Sequence, residues 1–176
     1  MKWRCKVIHK EDQLQDIFVS TLYNEDTFYK QFITDLQNAS KEVLVENPFI
    51  TVKRLNNLLP IFTQLKSKNV SIFIITRDPR EHDEIMAVQS ELGIRWFENM
   101  GIQVLLEDGG HHRKLAIIDE IITYEGSLNI LSQSQSREFM RRIECRALTK
   151  ELIQFLGYDR FSNVENPIKK LNFINY

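Results

Sequence analysis

The sequence predicts an α/β fold in which a mixed β-sheet is sandwiched between helices. In the first half of the chain, short runs of β-branched and aromatic residues alternate with stretches whose apolar residues recur at helical spacing. In the second half, several short apolar runs follow one another with only turn residues between them. Alternating strands and helices favour parallel pairing, whereas strands in direct succession favour antiparallel pairing. Both patterns in one chain therefore predict a mixed sheet.

The first half of the chain predicts three helices and two buried strands. The capping side chains of Asn24-Glu25-Asp26 precede apolar residues at helical spacing, which continue to about Ser40. Each later helix is separated from the one before it by a β-branched or aromatic run that is typical of a buried strand. The predicted order is a helix over 24–40, a strand over 43–49, a helix over 55–65, a strand over 70–76 and a helix over 81–92.

Two residues bear on where these helices begin and end. Pro60 fits a helix only in its first turn or at a kink, which leaves the start of the second helix open. Gly93 is expected to break the third helix, because glycine lowers helix stability. The residues of that third helix predicted to face inward are Ile85, Val88 and Leu92.

The second half predicts three strands, a less regular segment and a closing helix. The tight Asp119-Glu120 connection predicts that the second and third of these strands form a hairpin. Gly157 is typical of a helix stop. The segments are strands over 102–106, 115–119 and 121–124, an irregular alternation over 141–147 and a helix over 149–156.

The chain is expected to form one domain with two flanking segments. It has 176 residues, enough to bury a core without disulfides, and only 6 glycines and 4 prolines, with no linker-like stretch. We predict an N-terminal arm of unknown role over 1–23, a domain over 24–157 and a C-terminal tail over 158–176.

Charge and cysteine content limit the possible partners and compartments. The net charge is −1, so any binding to phosphates must come from local groups. Cys5 and Cys145 are expected to be free thiols in a reducing cytosol. No secretory signal is recognisable, and the apolar runs are too short to span a membrane. We therefore predict a cytoplasmic protein that does not bind membranes.

One polar cluster points to chemistry on a phosphodiester. Strand alternation puts His112 and Lys114 on the same face, and the hairpin returns Ser127 and Asn129 beside them. An imidazole can attack phosphorus or donate a proton near neutral pH, while an ammonium and an amide stabilise developing negative charge. A carboxylate that holds the far imidazole nitrogen would fix the tautomer. Its candidates are Glu138 and, as an alternative, Glu144.

The spacing of these residues resembles the His-x-Lys-x4-Asp-x6-Gly-Ser-x-Asn signature of the phospholipase D superfamily. All six defining positions are present: His112, Lys114, Asp119, Gly126, Ser127 and Asn129. The resemblance covers roughly Tyr23 to Phe155 and is strongest to nuclease-like members that occur alone or fused to prokaryotic helicases. It implies the phospholipase D/nuclease fold and a helicase or other domain as a possible partner.

The resemblance also implies a role for each site residue. His112 would be the nucleophile or acid, Lys114 and Asn129 the phosphate ligands, and Ser127 a neighbour of the phosphate. Glu138 would orient the histidine, and Asp119 would be a structural carboxylate. Family members work without a metal or other cofactor, through a phosphohistidine intermediate, with a second histidine protonating the leaving oxygen.

The second histidine must come from another chain. The sequence contains one His-x-Lys motif, so two copies of His112 require a two-fold homodimer with the active site on its axis. The predicted function is therefore a nuclease that cleaves DNA or RNA. The alternatives are a non-cleaving module that binds nucleic acid or a partner and, less favoured, a phospholipid phosphodiesterase.

Several arginines and the remaining histidines have open roles. Arg137, Arg141, Arg142 and Arg77 are candidates for contacts to a nucleic-acid backbone, and the alternative for the cluster that also includes Arg146 is a solvated face. His111 is predicted to point away from His112, and His82 is predicted to lie at the surface where a helix starts.

Overall fold

The computed structural model describes residues 3–5, 18–132 and 136–158. Its elements alternate in the first half of the chain and are mainly strands in the second half, as predicted. The strands are β1 Trp3–Cys5, β2 Phe18–Asn24, β3 Glu42–Glu46, β4 Ser71–Arg77, β5 Gln103–Glu107, β6 Leu115–Ile118, β7 Ile122–Gly126 and β8 Phe139–Glu144. The helices are α1 Phe28–Asn38, α2 Val52–Ser67, α3 Glu84–Asn99 and α4 Arg146–Leu156, with a short 3-10 helix at Pro79–Glu81 before α3.

All these strands belong to one mixed sheet in the order β1, β2, β8, β7, β6, β3, β4, β5. The pairs β3–β4 and β4–β5 are parallel and are connected through helices, whereas the remaining neighbours pair antiparallel. This confirms the predicted α/β fold class with a mixed sheet. Residues 1–23 were expected to be a separate arm, but β1 and β2 belong to the sheet, so the sheet begins before residue 24.

Helices cover both faces of the sheet. On one face, α1, α2 and α3 enclose the larger core, in which Phe28, Phe62 and Phe97 are fully buried. On the other face, α4 packs over a smaller apolar cluster that contains Leu44, Leu115 and the ring of Tyr158. Burying apolar side chains on both faces is the main stabilising contribution in a domain of this kind. No helix among residues 18–132 and 136–158 is long and apolar enough to cross a membrane.

The third helix differs from the prediction. Gly93 does not end α3, which continues to Asn99. Its missing side chain instead lets α3 approach α2 closely. A Cβ atom at Gly93 would lie 2.4 Å from Ile50 Cγ2 and 2.9 Å from Leu55 Cδ1. The buried face of α3 contains Ser90, Gly93 and Phe97. The residues predicted to face inward, Ile85, Val88 and Leu92, are instead exposed by 76%, 56% and 40%.

The other predicted helix and turn signals have separate outcomes. Pro60 lies inside α2, well past its first turn. Because proline has no N–H, the carbonyl of Asn56, four residues earlier, receives no helical hydrogen bond from it. Both residues are exposed, so this carbonyl can bond to water.

The hairpin between β6 and β7 is confirmed, with Asp119 and Glu120 at φ values of 54° and 55°. Gly157 ends α4 in the left-handed conformation, as predicted.

Candidate active site

One edge of the sheet gathers the polar side chains of the predicted site. The carboxyl ends of the parallel strands β3 and β4 meet there, and the residue pair Glu46–Leu115 places the start of β6 beside them. The pairs Leu115–Glu125 and Gly126–Met140 bring the end of β7 and the start of β8 to the same edge. Segments that are far apart in sequence therefore converge at this edge.

His112 and Lys114 point to the same face, as strand alternation predicts. Lys114 Nζ lies 2.9 Å from His112 Nδ1 and donates to the His112 carbonyl at 2.8 Å. The imidazole packs edge-on against Phe49, with 5.9 Å between ring centroids. The two side chains of the His-x-Lys motif are thus in direct contact, and Lys114 is largely buried.

The surroundings of His112 favour its neutral form. Burial, followed by the ammonium of Lys114 and the guanidinium of Arg77, holds the pKa of His112 below its ordinary value of 6.5. Burial is also the larger influence on Lys114 and lowers its pKa, while the carboxylate of Glu138 opposes this effect. A neutral imidazole has a lone pair that can attack phosphorus, whereas an imidazolium has none.

Of the two acidic candidates, Glu138 lies at the site and Glu144 does not. Glu138 precedes β8 at the site edge, and its backbone N–H donates to Glu25 Oε2 at 3.2 Å. Its charge acts on Lys114, but among the described residues it makes no hydrogen bond to His112. Glu144 pairs with Ile122 at the opposite end of the sheet, where it accepts a hydrogen bond from Arg142.

Gly126 allows β7 and β8 to approach closely where the Gly-Ser-x-Asn part of the signature begins. A Cβ at this position would lie 2.3 Å from the Phe139 carbonyl oxygen, so only glycine fits. The next residue, Ser127, donates its N–H to the same carbonyl at 3.1 Å, and its Oγ accepts from the Phe139 N–H at 3.3 Å. These contacts fix the path of the chain toward Asn129.

The Asn129 side chain has an oxygen without a partner. Its Oδ1 is buried and accepts no hydrogen bond from the described residues. The Asn129 backbone is held by Tyr29, whose hydroxyl donates to the carbonyls of Asn129 and Ile130 at 3.1 and 3.0 Å. Buried Asn47 accepts from the Ile130 N–H at 2.8 Å. The backbone of this loop is therefore held by hydrogen bonds, while the Asn129 side chain keeps an oxygen without a partner among the described residues.

Asp119 lies at the other end of β6, away from the cluster around His112. Its carboxylate accepts hydrogen bonds from the N–H groups of Ser40, Lys41 and Glu42 at 2.8–2.9 Å. These bonds lower its pKa against the effect of burial. The side chain joins the β6–β7 turn to the start of β3, which is the structural role that the superfamily resemblance implies.

A second polar cluster, centred on Glu46, lies behind the His-x-Lys segment. Glu46 is fully buried and accepts from Arg113 Nε at 2.6 Å and from the Tyr158 hydroxyl at 2.5 Å. His111 Nε2 lies 2.9 Å from the same carboxylate. Because residues 111 and 113 alternate with 112 and 114, Glu46 holds the segment from the face opposite the site. His111 points away from His112, as predicted.

The Glu46 cluster was not foreseen in the sequence. Glu46 is an acid at the end of an otherwise apolar run, and such a residue is seldom buried without a partner. That signal identifies Glu46 as unusual but does not identify its partners, which lie more than sixty residues further along the chain.

The arginines proposed to contact nucleic acid occupy different environments. Arg137 is exposed at the site edge, and the charge of Arg77 reaches His112. Arg141 donates to Ser20 Oγ at 3.0 Å and lies on the sheet face opposite His112.

The prediction that Arg142 contacts nucleic acid is corrected by its environment. Its side chain is 11% exposed and pairs with Asp35 at 2.6 Å, so it is a core residue rather than a phosphate contact. Tyr124 also donates to the Asp35 carboxylate.

His82 is also a correction. It was expected at the surface, but its ring is half-buried and packs on Phe49 at 5.0 Å between centroids.

In residues 18–132 and 136–158, no three His, Cys, Asp or Glu side chains are grouped so that they could hold a metal ion. Cys145 is a buried free thiol, and the Cys5 side chain lies outside the described part of the chain.

This fold, with a His-Lys pair at the sheet edge facing a Ser-x-Asn loop, defines a domain of the phospholipase D superfamily. The family model described as "Cardiolipin synthase, PLD-like domain" matches residues 32–159. That match covers well over half of the chain, so the protein belongs to this family of PLD-like domains. No curated protein sequence matches the chain at a significant level.

Solved structures share the fold at low sequence identity. Nuc from Salmonella typhimurium, a phospholipase D family member, is 14% identical with a TM-score of 0.66, over 82% of this chain and 95% of Nuc. NucT from Helicobacter pylori is 17% identical with a TM-score of 0.64, over 82% and 97%. Phosphatidylserine synthase from Haemophilus influenzae is 14% identical with a TM-score of 0.61, over 89% of this chain but 41% of the synthase.

Proposed function

We propose that this protein is a phosphodiesterase that cleaves DNA or RNA without a metal ion, through a phosphohistidine formed on His112. The observation that carries the proposal is the contact between His112 and Lys114 on one face of the segment before β6. A nucleophile and a cation are adjacent there, and the Asn129 amide, whose N–H groups can donate to phosphate oxygens, lies at the same edge as the Glu138 carboxylate. The group supplies the elements of covalent phosphoryl transfer from side chains alone.

In the proposed first step, the neutral imidazole of His112 attacks phosphorus, and the bond from phosphorus to the leaving oxygen breaks. The leaving oxygen takes a proton from the imidazolium of a second His112. Water then attacks the phosphohistidine and gives its proton to that second imidazole, and the phosphorus–nitrogen bond breaks. Lys114 and the Asn129 amide bind the non-bridging oxygens, whose charge grows in each transition state.

The exposed face of α3 supports a second subunit at the site. Ile85, Val88 and Leu92 form an apolar stripe that no described residue covers. The helix begins at Glu84, just after His82, whose ring shares the Phe49 surface with His112. A second copy of the chain that docks along this stripe would reach the site edge, where the proposed mechanism needs its His112.

The solved relatives are covered to different extents. The chain spans nearly all of Nuc and NucT but 41% of the phosphatidylserine synthase. The name of that synthase and the family description keep a phospholipid substrate as the second candidate. The exposed Arg137 and the partly exposed Arg77 favour a substrate with several phosphates.

A substrate panel tests the proposed function. The purified protein is incubated with single- and double-stranded DNA, RNA and a fluorescent phospholipid, each with and without EDTA. We expect cleavage of a nucleic acid that EDTA does not reduce, and no turnover of the phospholipid. Cleavage that EDTA abolishes, or turnover of the lipid alone, contradicts the proposal. Salt-sensitive binding without any cleavage favours the non-cleaving module.

Mixed dimers test whether two subunits share one site. When wild-type protein and His112→Asn protein exchange subunits at equal amounts, only dimers with two wild-type chains contain both histidines. Activity per total protein should then be about a quarter of the wild-type value, compared with about a half for independent subunits. Mixing with Lys150→Gln, a change of an exposed residue on α4, is the control and should dilute nothing. A value of one half contradicts a shared site.

The pKa of His112 gives a test that does not depend on turnover. Because the Lys114 ammonium lowers this pKa, Lys114→Met should raise it toward 6.5. One His112 must be neutral and the other protonated, so the lower wild-type pKa moves the pH range of activity downward. NMR titration of the histidines, of which the chain has four, measures both values. An unchanged or lower pKa in the variant would show that the contact with Lys114 does not control His112.

A further inference from the structure

His82 lies beside the site although it is outside the superfamily signature. Its ring packs on Phe49 with 5.0 Å between centroids, and the same phenyl ring packs on His112 at 5.9 Å. Phe49 follows β3, and His82 follows β4 through the 3-10 helix. Because β3 and β4 are parallel neighbours, both residues lie at the edge of the sheet that carries His112.

The imidazole of His82 has an unused nitrogen. Its Nε2 is buried and makes no hydrogen bond to any described residue. An unpaired buried polar atom in a native protein calls for an explanation, and a bound ligand is one. Burial and then the charge of Arg77 lower the pKa of His82, against the opposing effects of the Pro48 backbone, Asp83 and Glu81. The ring is thus held neutral, and because it donates to the Pro48 carbonyl, its remaining nitrogen Nε2 can only accept a hydrogen bond.

Arg77 is fixed next to this imidazole. Its Nε donates to Glu81 Oε2 at 2.7 Å, and Glu81 is itself anchored by the N–H groups of Gly109 and Gly110 at 2.7 and 3.2 Å. The two terminal amino groups of Arg77 make no hydrogen bond within the described residues. The Arg77 charge lowers the pKa of both His82 and His112, so it acts on the space that the two rings share.

We propose that His82 and Arg77 form a second subsite, which binds the nucleotide next to the phosphate attacked by His112. This inference rests on the proposed function, because it requires a substrate that continues beyond one phosphodiester. The guanidinium would bind the neighbouring phosphate, and His82 Nε2 would accept a hydrogen bond from a sugar hydroxyl or a base N–H of that nucleotide. The substrate class is therefore a nucleic-acid strand, rather than a phospholipid with a single diester.

Two variants of His82 separate binding from packing. His82→Phe keeps an aromatic ring against Phe49 but removes both nitrogens, whereas His82→Gln keeps a polar atom and loses the ring. A third variant, Arg77→Gln, removes the charge, and Lys150→Gln removes a charge from an exposed residue of α4 as its matched control. Melting temperatures of all four variants identify any that fail to fold.

Kinetics on two substrates give the main readout. We compare kcat/KM for a single-stranded oligonucleotide with that for bis(p-nitrophenyl) phosphate, which has one diester and no neighbouring phosphate. In His82→Phe and Arg77→Gln the oligonucleotide value should fall roughly 10-fold more than the single-diester value, as expected for the loss of one hydrogen bond. Lys150→Gln should show no such difference. An equal fall on both substrates would mean that His82 acts on the scissile phosphate itself, and no fall would mean that it only packs; both overturn the subsite.

Binding separates this inference from the proposed function. In a His112→Asn background, fluorescence anisotropy measures oligonucleotide affinity without turnover. Adding His82→Phe should weaken binding roughly 10-fold, and adding His82→Gln should weaken it less. If the wild-type protein cleaves no substrate, the proposed function fails, yet the affinity comparison still decides the subsite. Equal affinities with and without the His82 change overturn it.

Discussion

Replacing His112 with asparagine should reduce phosphodiester cleavage by at least about 10⁴-fold, equivalent to about 5.5 kcal/mol of transition-state stabilisation. The loss is large because the change removes the nucleophile from one subunit and the proton donor from the other. The side chain of His112 makes few other contacts: Lys114 at 2.9 Å and the ring of Phe49. We therefore expect the free energy of unfolding to change by less than about 1 kcal/mol.

The adjacent histidine is the matched control for this substitution. His111 has the same chemistry one residue earlier, but it points to the opposite face and contacts Glu46. His111→Asn should therefore lose far less activity, while its stability falls more than that of His112→Asn. Initial rates and urea unfolding of both variants make the comparison. More than about one-hundredth of wild-type activity in His112→Asn, on folded protein, is incompatible with covalent catalysis by this residue.

Replacing Glu46 with alanine should have the second largest effect, this time on stability. The carboxylate is fully buried and contacts Arg113, His111 and Tyr158. Removing it leaves polar groups buried without a partner, and we expect the free energy of unfolding to fall by about 3 kcal/mol. The arginine side chain is 50% exposed and can reach water, which keeps the loss from being larger.

Two further variants calibrate the Glu46 result. Glu46→Gln keeps the shape and one acceptor oxygen, so it should lose clearly less stability than Glu46→Ala. Glu125→Ala removes an exposed carboxylate from β7 and should change the free energy of unfolding by less than about 0.5 kcal/mol. Urea unfolding of the three proteins measures these differences. If Glu46→Ala is as stable as Glu125→Ala, the cluster does not hold the His-x-Lys segment.

Local sequence patterns predicted the parts of the site that depend on local geometry. The two-residue period of a strand is sufficient to place His112 and Lys114 on one face and His111 on the other. The short connection at Asp119 and Glu120 is sufficient to predict the hairpin that returns Ser127 and Asn129 to the same edge. These features need no information about distant parts of the chain.

Features that depend on distant contacts were missed. Strand β2 pairs with β8, more than one hundred residues later, so its own residues carry no sign of the partner. On α3, the apolar spacing of Ile85, Val88 and Leu92 suggested a buried face. The helix instead turns its Gly93 face toward α2, because close packing there buries Phe97. Arg142 looked like one of several surface arginines because its partner Asp35 lies on another element.

The most direct test of the account is to trap the covalent intermediate. The protein is mixed with a nucleic-acid substrate, quenched in base to preserve a phosphorus–nitrogen bond, digested and analysed by mass spectrometry. The account predicts a phosphoryl adduct on the peptide that contains His112, formed in the presence of EDTA and absent from His112→Asn. Efficient cleavage with no adduct at any quench time, or with the adduct on another residue, would contradict it.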